Sequence, residues 1–125
     1  MTGFGKFANI LENPSTHLVK ALPKLLEKAK IKDKLKHSEV VTVSCEDCDS
    51  TLDQIYKQLN SYDKHIVLNF GVAAGRKEFS LETIGKNIKD FRCPDERGNL
   101  FKNETIESGK LTKTRETSLD LVKAC

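Results

Sequence analysis

Short apolar runs alternate with stretches of helical periodicity, and this alternation limits the folds open to the chain. Residues 39–43 are rich in β-branched side chains and residues 66–70 are almost continuously apolar, so both predict strands. The continuous run is typical of a strand at the buried centre of a parallel sheet. Apolar side chains recur at helical spacing before each run. The order strand, helix, strand, helix, strand predicts an α/β fold with a mostly parallel, twisted sheet flanked by helices.

Capping residues place the two predicted helices. Asn13 is a good N-cap, and Pro14 suits the first helical position, where no backbone N–H is needed. Pro23 is expected to kink this first helix or to split it into two short pieces. The second helix is expected over residues 49–60, with the Asp or Ser at its start as the cap.

The remaining segments are less regular. Met1 and Thr2 are expected to form the last rung of a strand, followed by a turn over residues 3–5. We also expect a glycine-containing turn at 71–76, strand-like structure at 79–88, a polar loop at 95–110 and the start of a helix at 117–125. Sites in parallel sheets gather at the carboxyl ends of strands, so the loops after Thr2, Val43 and Phe70 are the candidates.

Length and charge exclude several classes of protein. The 125 residues predict a single domain, and a net charge of +3 is too small to indicate nucleic-acid binding. The lysines of residues 20–36 lie opposite leucines without interleaved aromatics, which is typical of a solvated helix face. No apolar run approaches the ~18 residues of a membrane span. The N-terminus lacks the basic-then-apolar order of a signal peptide, so we expect a cytoplasmic protein with no membrane partner.

Two patterns that suggest a metal or a cofactor are weak here. Cys45 and Cys48 form a CxxC pair, but a structural zinc site normally has a second such pair, which is absent. Glu46 and Asp47 between them disfavour a reactive thiolate, so we expect ordinary cysteines, with a metal or redox role as the alternative. Residues 3–8 match a loose dinucleotide pattern, but no helix follows directly. We therefore expect no cofactor and no metal ion.

Three segments carry a more specific signal. Residues 2–7 read Thr-Gly-Phe-Gly-Lys-Phe and precede Asn-Pro-Ser at 13–15, which resembles the opening of the pyroglutamyl-peptidase I family. Phe-Gly-Val-Ala-Ala-Gly-Arg at 70–76, followed by Leu-Glu-Thr-Ile-Gly-Lys-Asn at 81–87, is similar to a second segment of that family. Asp-Phe-Arg-Cys-Pro-Asp-Glu-Arg-Gly at 90–98 is similar to a third. Their order and spacing also agree, and the resemblance covers nearly the whole chain.

Members of that family are cytosolic cysteine peptidases that remove N-terminal pyroglutamyl groups from peptides, and many form homo-oligomers. Their fold is a three-layer α/β sandwich, and their catalytic set is Cys, His and Glu. The resemblance assigns the Glu role to Glu82 and the aromatic pocket for the pyroglutamyl ring to Phe4 and Phe7. It assigns the backbone N–H and C=O that bind the lactam to Val72, and Arg92 matches a site arginine near the nucleophile. It implies a pyroglutamyl peptide as substrate and no nucleic-acid partner.

The chemistry of the reaction fits those assignments. A lactam ring is small and flat, with one hydrogen-bond donor and one acceptor. Phenylalanine faces can enclose the ring while a backbone N–H and C=O satisfy its polar atoms. A cysteine nucleophile needs an imidazole base, and a carboxylate orients that imidazole and stabilises its charged form.

Departures from the family are as informative as the matches. The family's nucleophilic cysteine and base histidine lie beyond Cys125 in the family's order and have no counterpart here. Cys125 itself stands too early to be the nucleophile, and most of the first strand is missing before Thr2. The resemblance therefore implies a partial domain over residues 1–125, truncated at both ends and inactive on its own. The alternative is a non-catalytic module that binds pyroglutamyl termini or regulates full-length subunits by pairing with them.

Overall fold

The computed structural model describes residues 1–59 and 62–117. It divides into two compact units. The first unit comprises Met1–Ala74 with Cys93–Asn99, and the second comprises Gly75–Arg92 with the described part of Leu100–Cys125. The helix expected at 117–125 lies almost wholly outside the described residues. The expectation of a single domain stays a prediction.

A three-stranded parallel sheet organises the first unit. Its strands are β1 (Thr2–Phe4), β2 (Glu39–Val41) and β3 (Asn69–Phe70), in the order β2-β1-β3. Both neighbours of β1 run parallel to it. Together with the two helices that follow β1 and β2 in the chain, this sheet confirms the predicted α/β class.

Two of the three strands, β1 and β3, differ from the prediction. Gly3 and Phe4 belong to β1 instead of a turn, and β1 lies at the centre of the sheet. The run at 66–70 was expected to be the buried centre, but it forms only a two-residue edge strand. Ile66 is 68% exposed and Leu68 is 44% exposed. That prediction was wrong. An apolar run indicates that a segment tends to be buried, but it does not specify which strand lies between two others in the sheet.

Helix α1 (Pro14–Lys28) begins as the sequence predicts, with Asn13 as its N-cap and Pro14 at the first position. It packs against β1 and β2. The approach to β1 is so close that a Cβ on Gly3 would lie 2.6 Å from both the Ser15 carbonyl oxygen and Val19 Cγ2. A glycine is therefore required at this crossing.

Pro23 does not divide α1, which is continuous through it. Proline lacks the N–H that would bond the carbonyl four residues earlier, which is that of Val19. The Ser38 hydroxyl donates to this carbonyl at 3.3 Å. An external donor thus replaces the missing helical hydrogen bond, and the helix tolerates the proline.

Helix α2 (Cys45–Gln58) begins five or six residues earlier than predicted, because neither Asp49 nor Ser50 is its cap. Its N-cap is Ser44, whose hydroxyl accepts from the Asp47 N–H at 3.1 Å. Ile55 of this helix is buried, whereas its neighbour Tyr56 is exposed. The helix packs against β2.

The second unit contains an antiparallel pair, β4 (Ile84–Lys86) and β5 (Thr114–Glu116). β4 is the only regular strand within the strand-like region expected at 79–88, and β5 was not predicted. The segment at 95–110 forms no named helix or strand, as expected. Among the described residues, no helix is long and apolar enough to cross a membrane.

Candidate functional site

The two parts of the first resembling segment, residues 2–7 and 13–15, hold each other in place at the end of β1. The Phe4 N–H donates to Ser15 Oγ at 2.9 Å, and Thr16 Oγ1 donates to the Phe4 carbonyl at 2.5 Å. Asn13 Nδ2 donates to the Gly5 carbonyl at 2.9 Å, while Asn13 Oδ1 accepts from the Ser15 N–H at 3.0 Å. The backbone of Phe4 is therefore fully engaged, and its ring is the part that is left to contact a ligand.

The Phe4 ring lies beside the loop that follows β3. A Cβ built on Gly71 would be 4.0 Å from Phe4 Cε2. Val72, the next residue, is 41% exposed. No backbone hydrogen bond between described residues uses the Val72 N–H or C=O. The structure thus brings together Phe4 and the loop of Val72 at the carboxyl edge of the parallel sheet, where such folds place their sites.

Phe7 lies in a tight turn after β1. Its N–H donates to the Ile10 carbonyl at 3.1 Å, and the Ile10 N–H donates back to the Phe7 carbonyl at 2.8 Å. Ala8, inside this turn, has a φ of 48°, in the left-handed region. As at Phe4, the backbone is engaged, and the half-buried ring is the group available to a ligand.

Glu82 and Arg92 belong to the second unit. The Glu82 side chain is 77% exposed, and Arg76 Nη1 donates to its Oε1 at 3.0 Å. Arg92 is exposed and makes no salt bridge with a described residue. The other carboxylate oxygen of Glu82, Oε2, forms no salt bridge with a described arginine, so it can accept a hydrogen bond from an imidazole N–H.

Asp95 is a buried residue that the sequence analysis did not single out. Its carboxylate accepts backbone N–H groups from Asn99 at 2.8 Å, Arg97 at 3.0 Å and Cys45 at 3.3 Å. Burial alone raises the pKa of Asp95, but the hydrogen bonds from Asn99, Cys45 and Arg97 outweigh it and lower the pKa. Asp95 therefore fastens the third resembling segment onto the first turn of α2.

An ion pair reinforces this attachment. Arg97 forms a bidentate pair with Asp47, through Nε at 2.9 Å and Nη2 at 2.8 Å. The hydrogen bond from Arg97, followed by that from the Ser44 hydroxyl, lowers the pKa of Asp47 to about 2. The spacing Ser44-x-x-Asp47, similar to a capping box, was the sequence signal that could have located this helix start.

Asn87 connects two segments of the second unit through hydrogen bonds of its side chain. Its side-chain oxygen accepts from the backbone N–H groups of Ile106 at 3.0 Å and Glu107 at 2.7 Å. Its Nδ2 donates to the carbonyls of Glu107 and Lys110 at 3.0 and 3.3 Å. Asn87 ends the second resembling segment, so its role here is to order the loop at 106–110.

The CxxC pair lies in the first turn of α2, the position in which redox pairs occur, but its electrostatics oppose that chemistry. Burial raises the pKa of Cys48, and the neighbouring Cys45, Asp49 and Asp47 raise it further, although a backbone hydrogen bond at Ser44 opposes them. A raised pKa reduces the thiolate that redox chemistry needs. Within residues 1–59 and 62–117, no group of three or more His, Cys, Asp or Glu side chains could hold a metal ion.

Curated proteins with similar sequences share one description. The pyrrolidone-carboxylate peptidase of Fusobacterium nucleatum is 35% identical over 106 residues, which are 85% of this chain and 46% of the relative. That of Staphylococcus saprophyticus is 37% identical over 107 residues, 86% of this chain and 46% of the relative. The chain thus spans about half the length of the curated relatives that it matches.

Solved structures agree with the sequence comparison. A mutant pyrrolidone carboxyl peptidase from Pyrococcus furiosus superposes with a TM-score of 0.76 at 26% identity, covering 98% of this chain and 55% of that one. The enzyme of the same name from Thermus thermophilus gives 0.75 at 25% identity, covering 98% and 58%. The family model described as pyroglutamyl peptidase matches residues 1–114. Because that model spans most of the chain, the chain belongs to the pyroglutamyl peptidase family.

Proposed function

We propose that this chain supplies the ring-binding part of a pyroglutamyl peptidase, an enzyme that hydrolyses the bond after an N-terminal pyroglutamyl group. Phe4, Phe7 and Val72 bind the ring, Arg92 lies near the nucleophile, and Glu82 orients the catalytic imidazole. The cysteine and histidine of the reaction have no counterpart among these residues, so the chain alone is inactive. The free thiols of Cys48 and Cys93 support a reducing, cytoplasmic location.

The single observation that carries the proposal is the pattern of hydrogen-bonded and unbonded backbone groups at the carboxyl end of the sheet. The backbones of Phe4 and Phe7 are already hydrogen-bonded, which leaves their rings for apolar contact. The backbone of Val72 has no such bond to a described residue, and Val72 follows the glycine beside the Phe4 ring. Two apolar faces with a free N–H and C=O match the lactam, which has two flat faces, one donor and one acceptor.

Glu82 acts in a reaction that also requires a cysteine thiolate and a histidine imidazole. In the proposed reaction, a thiolate attacks the pyroglutamyl carbonyl, the imidazolium protonates the leaving amine, and water then releases the acyl group. Glu82 holds the imidazole in the required orientation and stabilises its charged form. Arg76 Nη1 contacts only Oε1 of Glu82, at 3.0 Å, which leaves Oε2 for the imidazole.

A second candidate function is a regulatory module that pairs with full-length subunits. The exposure of Ile66 and Leu68 beside the edge strand β3 favours it, because an apolar sheet edge is a pairing surface. Binding of a pyroglutamyl peptide does not separate the two functions, whereas turnover by a completed protein does.

The direct test of ring binding is an NMR titration of the 125-residue chain with pyroglutamyl-alanine. We expect saturable shifts at the Val72 amide and the Phe4 ring. Prolyl-alanine is the matched control ligand, since its ring has the same size but no lactam carbonyl. Equal shifts with both dipeptides, or no shift at Val72, would refute the proposed pocket.

A variant pair tests the aromatic contact. Phe4→Leu keeps an apolar side chain but removes the ring face, and we expect about tenfold weaker binding. Phe79→Leu is the control, because Phe79 is 94% exposed and has no role in the proposal. If both variants bind as the parent does, Phe4 does not contact the ring.

A further inference from the structure

Helix α1 and the segment that follows it form a basic part of the chain. Residues 14–38 contain seven lysines and no arginine, against the acidic residues Glu27 and Asp33. This stretch has a net charge of +5, while the whole chain has +3, so the rest of the chain has −2. The seven lysines are all exposed, namely Lys20, Lys24, Lys28, Lys30, Lys32, Lys34 and Lys36. The positive charge is therefore concentrated in one segment.

The packing of α1 places part of this charge on one surface. Helix α1 packs on β1 and β2, and its buried residues are Ser15 and Val19. Three lysines follow at four-residue spacing and line one open groove with His17, Ala21 and Leu25, namely Lys20, Lys24 and Lys28. Residues at that spacing share a helix face, and a rise of about 1.5 Å per residue places the three lysines along about 12 Å. These three form a lysine row on the side of α1 away from the sheet.

Few acidic groups neutralise these lysines. Lys32 Nζ lies 3.1 Å from Glu27 Oε2, and none of the other six lysines forms a salt bridge with a described residue. The sequence pattern alone is typical of a solvated helix face, but such a face usually mixes charges of both signs. A row of lysines without acidic neighbours attracts an anionic partner.

The residue types indicate the class of that partner. Residues 14–38 contain no aromatic side chain on which a nucleic-acid base could stack. They also contain no arginine, which binds carboxylates in bidentate geometry and is enriched at protein interfaces, where lysine is depleted. Lysine is a point charge on a flexible stem. It therefore suits an anionic lipid surface, where attraction depends on the number of charges and needs no fixed geometry.

Leu25 adds an apolar side chain to the same surface. It lines the groove of the lysine row and is 52% exposed. At a membrane surface, an apolar side chain enters the boundary between headgroups and acyl chains while lysines stay among the headgroups. A nucleic acid or a polyglutamate chain offers no such apolar layer. This contact lies on the surface and needs no spanning helix.

We propose that the lysine row of α1, together with Leu25, binds an anionic lipid surface. Helix α1 contacts the lipid through its outer side while its inner side stays packed on the sheet, so binding requires no change of fold. The inference does not depend on the proposed function, because α1 contains none of the residues assigned to the ring pocket or to the orientation of the imidazole.

Vesicle sedimentation of the 125-residue chain tests the binding. The probe is a vesicle of phosphatidylcholine with about 30% phosphatidylserine, and the control vesicle is phosphatidylcholine alone. At about 0.1 M salt, we expect partition onto the anionic vesicles to be stronger by about tenfold or more. Salt at about 0.5 M should weaken that partition by about fivefold or more. Absent binding, equal partition onto both vesicles, or binding that salt does not weaken would overturn the inference.

Matched lysine variants locate the surface. Lys20→Gln combined with Lys24→Gln should weaken partition about 25-fold, because each lysine near an anionic surface contributes about fivefold. Lys28 is kept, since a cation in the last turn also stabilises the helix. Lys64→Gln combined with Lys110→Gln is the control, because both lysines are exposed outside α1 and the change in charge is the same. Equal weakening by the two double variants would overturn the assignment to α1.

Circular dichroism checks the fold of each variant. If the double variant of α1 is unfolded, Lys24→Gln alone takes its place, with an expected loss of about fivefold. Its single control is Lys64→Gln, and equal partition of these two variants would again overturn the assignment.

Two further measurements separate lipid from other polyanions. Leu25→Ser should weaken vesicle partition about fivefold and leave binding to polyglutamate unchanged, because only the vesicle has an apolar layer. Unchanged vesicle partition of Leu25→Ser would overturn the lipid assignment. Polyglutamate or a single-stranded oligonucleotide, at the same concentration of charge, should leave most of the chain on the vesicles. Displacement by polyglutamate would assign the surface to an acidic polypeptide and displacement by the oligonucleotide to a nucleic acid, and either result would overturn the inference.

Discussion

Gly3→Ala should destabilise the first unit more than a glycine-to-alanine substitution at any other described glycine of that unit. The new Cβ would lie 2.6 Å from the Ser15 carbonyl oxygen and from Val19 Cγ2. Carbon atoms pack at about 3.5–4.0 Å, so strand and helix must separate by about 1 Å. The Phe4 N–H donates to Ser15 Oγ and Thr16 Oγ1 donates to the Phe4 carbonyl, so these two bonds tie that helix to that strand, and the separation strains them.

The expected cost follows from those contacts. Overpacking of this kind costs about 1–3 kcal/mol, and each weakened hydrogen bond adds up to about 1 kcal/mol. We therefore expect a loss of about 3 kcal/mol in the free energy of unfolding, a large share of the total for a small domain. At a urea slope of about 2 kcal/mol per M, the unfolding midpoint falls by about 1.5 M.

Gly5→Ala is the matched control for this measurement. A Cβ on Gly5 would meet its nearest atom, the Val41 carbonyl oxygen, at 3.7 Å, which is ordinary contact. Urea unfolding followed by circular dichroism should therefore show a much smaller shift for Gly5→Ala than for Gly3→Ala. If the two midpoints agree within about 0.3 M, the close crossing of α1 over β1 is wrong.

The 125-residue chain alone should not cleave a pyroglutamyl reporter, and turnover that thiol alkylation abolishes in a pure preparation would contradict this. The pKa of Asp47, lowered to about 2 by Arg97 and Ser44, lies below its ordinary value of 3.8, so the pair stabilises the fold above about pH 4 and loses this contribution as the pH falls toward 2. Urea midpoints of the parent and Arg97→Gln should converge over that window, and a constant difference would argue against the ion pair. Ser38→Ala should cost about 1 kcal/mol, because it removes the donor to the Val19 carbonyl. In a Pro23→Ala background, that cost should shrink, and a double-mutant cycle without coupling would exclude the proposed replacement of the helical bond.

Local patterns in the sequence predicted the elements that local chemistry determines. Asn13 and Pro14 placed the start of α1 correctly, because a cap and a fixed φ act within one turn. The alternation of strand and helix predicted the class of the sheet, since parallel strands need crossover connections. The motif resemblance predicted the family, which the comparisons confirm.

Features that depend on distant partners were not predictable in the same way. The run at 66–70 is apolar, but its place at an edge depends on the order in which the three strands pair, with β1 at the centre. Pro23 is tolerated because Ser38, fifteen residues later, supplies a donor. Asp95 accepts a hydrogen bond from the N–H of Cys45 in α2, fifty residues earlier in the chain. The polar, turn-like sequence around Asp95 predicts a loop there but does not indicate this contact. The roles of Phe4, Phe7, Val72, Glu82 and Arg92 stay predictions.

The most direct test of the central claim, that this chain carries part of a pyroglutamyl peptidase site, is turnover by a chimera. Residues 1–114 would be joined to the part of the Fusobacterium nucleatum relative that they do not match. Glu82→Gln in this chimera should lower kcat by about 10² with little change in KM, because Glu82 orients the imidazole and does not bind the ring. Glu78→Gln, an exposed neighbour, should leave kcat within about twofold. A folded Glu82→Gln chimera with the kcat of the Glu78→Gln control would contradict the account.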